Sequence, residues 1–340
     1  MKKKLVVFYF LLLLTLPTQS FAWGKKGHEL VAEIAFNYLD SATKQAVMKY
    51  LKNITIEEAA TWMDENRSNR FYDYMRTWHY IDIDKGQEYQ PSTEKNMLTI
   101  LNSAFVSLQH KENLKERQIK EYLLIIFHLI GDLHQPLHTG YPSDKGGNSV
   151  EIESPIFNGN LHSFWDTQII ELENIKLEEC LEFYTTFSTE ELKTINKINF
   201  LQWMKQSRNL LDGLYNFTDG KIDRAYIDSN KIVIKKQLLI AGLRLANVLK
   251  NIFKGNAIQP EKGNVAIVDS STAKYFNNPT FLDDASNKHL QRFSSFKDFN
   301  FGRYNLFYIH KVYVFFPAKS VCDALAVAHS YYNCYKVETV

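Results

Sequence analysis

Apolar and polar positions follow a helical period over most of the chain from residue 23 to residue 253. The stretch HELVAEIAFNY at 28–38 places its apolar residues on one face of a helix, and QLLIAGLRLANVLKNIF at 237–253 predicts a longer amphipathic helix. Another helix should run from about Glu116 towards Gln135, where Pro136 ends or kinks it. The pattern therefore predicts a mainly α fold.

Capping residues mark several helix starts. Thr55 with Glu58, and Ser188 with Glu191, have the spacing of a capping box. Ser92 is suited to cap a helix that follows it. These three positions predict where helices begin between the longer amphipathic segments.

Strand signals are few, and the character of the chain changes near its end. SVEIE at 149–153 is the clearest strand pattern, with a turn predicted near Asn158-Gly159. Past Gly255 the sequence resembles a linker, followed by a weakly periodic, aromatic-rich stretch to which we assign no function. We therefore expect a helical domain over 23–255 with one short β-hairpin, and a linker and C-terminal tail of unassigned role over 256–340.

The first 22 residues have the three parts of a secretory signal peptide. MKKK is basic, LVVFYFLLLLTLP is apolar but too short for a stable membrane anchor, and SFA at 20–22 is a small-residue cleavage site. Cleavage after Ala22 would make Trp23 the first residue of a secreted or periplasmic protein.

Charge and cysteine content exclude some classes of protein. Loss of Lys2, Lys3 and Lys4 with the signal peptide changes the formal net charge from +2 to −1, so bulk charge does not favour binding of polyanions. The three cysteines are too few and too widely spaced for a disulfide framework or a thiolate metal site. Any contact with nucleic acid must therefore come from a specific site.

Polar residues interrupt the apolar run FHLIGDLHQPLH, where their burial is costly unless each one has a partner. His128 and Asp132 are four residues apart and share one helix face, and His162 and Asp166 in LHSFWD repeat that spacing. One such pair is compatible with a buried histidine bonded to an aspartate. Two pairs together with His138 favour a metal, and imidazole and carboxylate are usual zinc ligands.

Four upstream residues are ambiguous when taken alone. Asp64 in TWMDENR would ordinarily be a solvated helix residue, and His79 in TWHYID a core residue. After cleavage Trp23 would offer an α-amine and a carbonyl, and His28 lies close enough along the chain to reach the same ion. Simple packing at a helix start is the alternative for both.

The ordered set WGKKGH, WMD, WHYID, FHLIGDLHQPLH, GGN and NLHSFWD resembles the single-strand-specific zinc nucleases and 3′-nucleotidases of the S1/P1 type, from Trp23 to about Phe253. The resemblance implies a zinc-nuclease or phospholipase C-like helical fold that binds three Zn²⁺ ions. By resemblance, the first ion is held by Asp64, His79, His128 and Asp132, the second by His138, His162 and Asp166, and the third by Trp23 and His28, with Asp132 bridging the first and third. His134 has no ligand role in such proteins, so we expect it to pack a helix or orient its neighbours.

The same resemblance implies roles in catalysis and substrate binding. Asp82 would bond the attacking water, Lys85 and Asn148 would contact the phosphate, and Tyr80 would help to hold a base. Two zinc ions that share a carboxylate can bind a water between them and make it a hydroxide nucleophile near neutral pH. We therefore expect a monomeric enzyme that hydrolyses single-stranded DNA and RNA to 5′-nucleotides and also acts on 3′-nucleotides.

Two rival interpretations remain open from the sequence. A zinc-dependent phospholipase C shares the N-terminal tryptophan ligand, the three zinc ions and the helical fold, but tends to have Glu where this chain has Asp166, and lacks the WHYID arrangement. A non-catalytic zinc-binding secreted protein would hold metal without turnover and would not need Asp82, Lys85 or Asn148.

Overall fold

A computed structural model describes residues 23–91, 94–155 and 157–254 with their side chains, and the backbone of four short strands between residues 268 and 339. The expected signal peptide and Ser92 lie outside the described residues. The structural statements below refer to the described part of the chain.

Helices dominate the described residues and are joined by short 3-10 turns. The α-helices are α1 Lys25–Tyr38, α2 Ser41–Leu51, α3 Ile56–Glu65, α4 Met97–Gln109, α5 Glu116–Leu133, α6 Leu161–Ser163, α7 Ile169–Leu172, α8 Leu177–Leu181, α9 Thr189–Ile195, α10 Phe200–Arg208, α11 Leu211–Leu214 and α12 Arg224–Lys254. The 3-10 helices are Arg70–His79, Lys111–Asn113, Pro136–Thr139, Pro142–Asp144 and Glu182–Thr186, and one π-helical turn covers Phe164–Gln168.

Both predicted capping boxes are present, at the starts of α3 and α9. The prediction for the start of α4 was wrong. That helix begins at Met97, because Asn96 accepts a hydrogen bond from the backbone N–H of Thr99 at 3.1 Å, while the Thr99 hydroxyl accepts one from the backbone N–H of Asn96. This reciprocal pair satisfies two N–H groups that the helix itself leaves unbonded.

The core is arranged around α5. Every residue of this helix from Tyr122 to Leu133 is buried, and a helix buried on all sides belongs at the centre of a bundle. Helices α3, α4 and α12 pack against α5, and α1 lies between α3 and α12. The central helix therefore carries His128 and Asp132 into the interior, where neighbouring helices can supply partners.

The predicted hairpin is present, but its turn is not where the sequence indicated. β1 Glu151–Ser154 pairs antiparallel with β2 Phe157–Asn160, so the chain reverses between Ser154 and Phe157. Asn158-Gly159 lies within β2 instead. Pro155 accounts for the shift, because proline cannot donate a hydrogen bond to the ladder and suits the turn.

Four short strands in the C-terminal tail were not predicted. They are β3 Val268–Asp269, β4 Tyr304–Ile309, β5 Val312–Pro317 and β6 Glu338–Thr339, in the sheet order β3-β5-β4-β6 with antiparallel neighbours. The runs YNLFYI and VYVFFP have the aromatic and β-branched composition of strands, although they lack a clear alternation. Among the described residues, we find no helix with the length and apolar character needed to cross a membrane.

Candidate metal centre

Histidines and aspartates from four elements converge beside α5. His28 comes from α1, Asp64 from the last turn of α3, His79 from the end of the 3-10 helix Arg70–His79, and His128 and Asp132 from α5. All five side chains are buried. Two overlapping sets, His28 with Asp64 and His128, and His79 with His128 and Asp132, each bring one ligand atom per residue within 4.8 Å of the others.

Asp132 lies between two groups of imidazoles. Its Oδ1 lies 3.2 Å from Nε2 of His28, whereas its Oδ2 lies 3.1 Å from Nδ1 of His79 and 3.2 Å from Nε2 of His128. Asp64 Oδ1 faces the second group, at 3.7 Å from His79 and 3.8 Å from His128. The two carboxylate oxygens of Asp132 are therefore available to two different cations.

His138, His162 and Asp166 form a separate buried group. Nε2 of His162 lies 3.0 Å from Asp166 Oδ2, and Nε2 of His138 lies 3.7 Å from Asp166 Oδ1. The two imidazole rings are stacked with their centroids 5.0 Å apart. As predicted, α5 ends before Pro136. The 3-10 helix Pro136–Thr139 that follows places His138 in this group.

Backbone carbonyls fix the orientation of three histidines. Nδ1–H of His128 donates to the Ala60 carbonyl at 2.7 Å, that of His138 to the His79 carbonyl at 2.7 Å, and that of His162 to the Gly146 carbonyl at 2.6 Å. In the neutral ring, each bond selects the tautomer in which Nε2 carries the lone pair, the arrangement usual for metal-binding histidines.

The pKa shifts differ across the centre, and burial lowers the pKa of His28 and His79. Burial acts to raise the pKa of Asp132, but His128 and His138 hold it well below its usual range, and His162 and His138 likewise lower the pKa of Asp166 despite burial. Burial acts to lower the pKa of His138, but Asp132 and Asp166 raise it to about 9. Ionised carboxylates in a dry interior need compensating cations.

The donor atoms fit metal ions better than they fit one another. Six buried atoms in these groups have no hydrogen-bond partner among the described residues: His28 Nδ1 and Nε2, Asp64 Oδ1, Asp132 Oδ1, His138 Nε2 and Asp166 Oδ2. They lie close together without hydrogen-bond geometry, and buried polar atoms left in that state are costly. Imidazole nitrogen and carboxylate oxygen are a ligand set that suits zinc.

His134 is set apart from these groups, as the sequence predicted. Its Nδ1 donates to the Ile130 carbonyl at 2.7 Å, and its Nε2 lies 2.7 Å from Nη1 of Arg244. Arg244 is buried against Trp203, and burial lowers the pKa of its guanidinium to about 9. Both ring nitrogens of His134 are therefore occupied within the helical core.

Gln135 is a site residue that sequence reasoning missed. It is fully buried, its side-chain amide donates to Asp166 Oδ1, and its carbonyl oxygen accepts from the Leu137 backbone at 2.6 Å. The signal was a further polar residue in the same apolar run, but a glutamine before proline also suits an ordinary helix end. Gln135 thus binds the same Asp166 oxygen that faces His138 and helps to hold that carboxylate in place.

Trp23 lies near His28, which is the arrangement that binding of one shared ion by both residues would require. It is fully buried, and a Cβ built on Gly131 would lie 3.7 Å from Trp23 Cδ1 and 2.7 Å from His28 Nδ1, so Trp23 and His28 both border Gly131. The next residue is also anchored at the centre, since the Gly24 N–H donates to the Asp166 carbonyl at 2.6 Å.

Asp82 and Tyr80 lie at the solvent side of the centre. Tyr80 is 38% exposed. Desolvation raises the pKa of Asp82, whereas His138 lowers it and Asp144 adds to the rise. The Asp82 carboxyl is therefore close enough to the group of His138, His162 and Asp166 to interact with it electrostatically. Backbone bonds from Ile81 N to His138 O at 2.8 Å and from Ile83 N to Gly140 O at 3.1 Å join these segments.

Lys85 and Asn148 are placed less tightly than the metal-binding residues. The Lys85 side chain is 77% exposed, with Nζ 3.8 Å from Asp212 and 5.9 Å from the centre of the Tyr141 ring. Asn148 is half-buried and donates to the Lys145 carbonyl at 2.8 Å, in a loop that ends beside His162. Asn148 directly follows Gly147, whose carbonyl accepts from the His162 backbone, whereas the contacts described for Lys85 are with Asp212 and Tyr141.

Comparison with known proteins decides the relationship. The sequence profile of the S1/P1 nuclease family matches residues 23–254, which is the helical region. The chain belongs to the S1/P1 nuclease family. Within that family, Endonuclease 2 of Arabidopsis thaliana is 30% identical over 264 residues, covering 68% of this chain and 90% of the relative. Nuclease S1 of Aspergillus oryzae is 28% identical over 170 residues, covering 46% of this chain and 58% of that protein.

Membership in the S1/P1 nuclease family confirms the predicted family and supports a nuclease, a hydrolase acting on nucleic acid. The mainly helical fold with a two-stranded hairpin is likewise confirmed. Among solved structures, the alpha-toxin of Clostridium perfringens matches with a TM-score of 0.41 at 12% identity, covering 72% of this chain and 68% of that one. A score that low has no bearing on the activity of this S1/P1 nuclease.

Proposed function

We propose that this chain is an exported, zinc-dependent nuclease that hydrolyses single-stranded DNA and RNA to 5′-nucleotides and also removes the phosphate of 3′-nucleotides. The observation that supports it most directly is Asp132, whose two carboxylate oxygens face different imidazoles at 3.1 to 3.2 Å. One carboxylate shared by two cations would suit hydrolysis of a phosphodiester, because a two-metal site can stabilise both the attacking and the leaving oxygen.

Nine residues would hold three zinc ions. They are Asp64, His79, His128 and Asp132 for the first, His138, His162 and Asp166 for the second, and Trp23, His28 and Asp132 for the third. The third set depends on removal of residues 1–22, which would free the Trp23 α-amine. When bound, zinc supplies Lewis-acid stabilisation of the phosphate charge and activation of water near neutral pH.

The chain's own residues would orient the reactants. The Asp82 carboxylate would accept a hydrogen bond from the attacking water and hold its lone pair towards phosphorus, a role suited to a carboxylate near the second histidine group. By family resemblance, Lys85 and Asn148 would bind the non-bridging phosphate oxygens. The leaving 3′ oxygen then needs no protein acid with a raised pKa.

Preference for single strands would come from Tyr80. Its exposed ring can stack on an unpaired base, and stacking is tolerant of sequence. The metal-binding residues are buried, so a phosphate can reach them only if the strand is free to bend. A net charge of −1 after signal removal agrees with recognition by this site rather than by a basic groove.

The test compares one oligonucleotide as a single strand and as a blunt duplex, with protein processed to begin at Trp23 and supplied with zinc. We expect faster cleavage of the single strand, products that carry a 5′-phosphate, and release of inorganic phosphate from 3′-AMP. Equal rates on the two forms would contradict the single-strand preference, and products that carry a 3′-phosphate would contradict the assigned bond cleavage.

A further inference from the structure

Two backbone segments carry the proposed catalytic residues, and one arginine joins them. The first segment, 80–85, contains Tyr80, Asp82 and Lys85. The second, 138–141, begins at His138 and leads into the loop of Asn148. Only two backbone hydrogen bonds, Ile81 N to His138 O and Ile83 N to Gly140 O, are described between these segments.

Arg208 completes this connection from the last turn of α10. Its Nη1 donates to the carbonyl oxygens of Thr139 at 2.5 Å and Gly140 at 2.9 Å. Its Nη2 donates to those of Ile83 at 2.5 Å and Asp84 at 3.0 Å. Each of the two amino groups of the guanidinium therefore binds one segment. Because the guanidinium is rigid and planar, it fixes the distance between the two segments.

The base of this arginine is rigid. α10 buries Trp203, Met204 and Ser207 against the core, so the helix end that carries Arg208 is held in place. The guanidinium also lies over the Tyr141 ring, 5.1 Å from its centre. A planar guanidinium that is held by hydrogen bonds along its edge and by an aromatic ring against its face loses little conformational freedom when it binds four carbonyls.

The position of Arg208 bears on the proposed catalytic groups. Ile83 and Asp84, which it binds, directly follow Asp82, and Thr139 directly follows His138. No carboxylate forms an ion pair with Arg208 among the described contacts, so its four main hydrogen bonds all go to backbone. Because these hydrogen bonds all go to the two segments beside the centre, Arg208 determines the position of one segment relative to the other.

We propose that Arg208 is a positioning residue that fixes Asp82 relative to the His138, His162 and Asp166 group. The inference rests on the proposed function, since it takes Asp82 as the residue that orients the attacking water. It adds a requirement outside the metal-binding set: α10 must hold segments 80–85 and 138–141 at one separation for turnover.

The test is a double-mutant cycle on single-stranded DNA with R208Q, D82N and the double variant. We expect R208Q to retain its zinc content and to lower kcat by roughly tenfold to a hundredfold with little change in KM, because a displacement of about 1 Å in a catalytic group costs up to that much. In the D82N background R208Q should change kcat by less than about twofold, because residues that act through one another are not additive.

Two further variants guard this test. R208K keeps the charge but reaches only one segment at a time, so it should fold and give a kcat between those of wild type and R208Q. R224Q removes an exposed arginine at the start of α12 that pairs with Glu173 and Asp228. None of these three residues belongs to the candidate metal centre, so R224Q should leave kcat unchanged.

The outcomes separate the inference from the proposed function. Full additivity of the two losses, an unchanged kcat in R208Q, or loss of zinc from R208Q would overturn the role of Arg208 in an otherwise active enzyme. A wild-type protein that is zinc-loaded and inactive would instead refute the proposed function.

Discussion

Asp132 would link two of the three proposed zinc positions because its carboxylate oxygens face His28 on one side and His79 with His128 on the other. Loss of its charge therefore affects both positions, whereas loss of His162 affects only the separate group with His138.

We expect Asp132→Asn to remove two zinc ions per chain and His162→Ala to remove one, as measured by elemental analysis of purified, zinc-equilibrated protein. The amide of asparagine matches the size of the carboxylate but is a weaker ligand for a hard or borderline cation. Equal losses in the two variants would contradict the assignment of ligands.

Tyr80 is expected to contribute to binding rather than to the chemical step. Tyr80→Ala should raise KM for single-stranded DNA roughly 5- to 150-fold, the equivalent of about 1–3 kcal/mol of base stacking, with kcat nearly unchanged. Tyr80→Phe should keep the wild-type KM because it keeps the ring. Phe71→Ala is the matched control. Phe71 is also an exposed aromatic residue, 58% exposed, and it lies near the start of the 3-10 helix Arg70–His79, whereas Tyr80 directly follows the end of that helix. A similar KM change in the control would contradict a specific role.

Residues of the site divide into those the sequence could indicate and those it could not. His128 with Asp132 and His162 with Asp166 stand out because a spacing of four puts both members on one helix face. Gln135 gives only the weak signal of a polar residue in an apolar run, and Arg208 gives none, because their roles follow from contacts with segments that only the tertiary fold brings near. The roles assigned to Asp82, Lys85 and Asn148 rest on family resemblance and stay predictions.

At the scale of elements, helix α1 is held between two glycine-containing helices. A Cβ on Gly131 of α5 would lie 2.7 Å from His28 Nδ1, and a Cβ on Gly242 of α12 would lie 2.4 Å from Ile34 Cγ2. Both glycines allow α1 to approach closely, but only Gly131 lies beside a metal-binding residue.

Gly131→Ala and Gly242→Ala should both lower the free energy of unfolding by about 1–3 kcal/mol through overpacking, despite the better helix propensity of alanine. Only Gly131→Ala should also lower the zinc content, because it displaces the His28 ring. Chemical denaturation and elemental analysis of the two variants measure these effects. Normal zinc content in Gly131→Ala would show that His28 is not fixed by this contact.

Element boundaries show how far a local pattern extends. The limits of α5 and the capping boxes of α3 and α9 agree with the sequence because each depends on residues within one turn. The start of α4 and the turn of the hairpin were wrong because several polar residues compete there, and the competition is decided by Asn96 and Pro155. The tail strands lacked the alternation from which a strand is predicted.

On the scale of the whole molecule, the candidate metal centre joins parts of the chain that are far apart in sequence. Its candidate ligands come from α1, α3, α5, α6, two 3-10 helices and the π-helical turn. Cys180, the cysteine within the described residues, is buried and unbridged. In the proposed function, bound metal would connect these distant parts of the chain and stabilise the fold.

We expect a chelator to lower the melting temperature strongly and added zinc to restore it. A ligand present at a thousand times its Kd stabilises the fold by about 4 kcal/mol per site, and removal of the metal leaves buried carboxylates uncompensated. Differential scanning calorimetry measures this, with His162→Ala as a comparison that should show a smaller drop. A melting temperature independent of metal would contradict a structural role.

In the proposed function, the buried histidines and aspartates form a metal centre that cleaves single strands. The most direct measurement is release of 5′-mononucleotides from heat-denatured DNA by protein that begins at Trp23 and is supplied with zinc. We predict steady release that a chelator stops, and that any extension before Trp23 abolishes by blocking the α-amine. No release from fully zinc-loaded protein, or full turnover with the extension in place, would contradict the account.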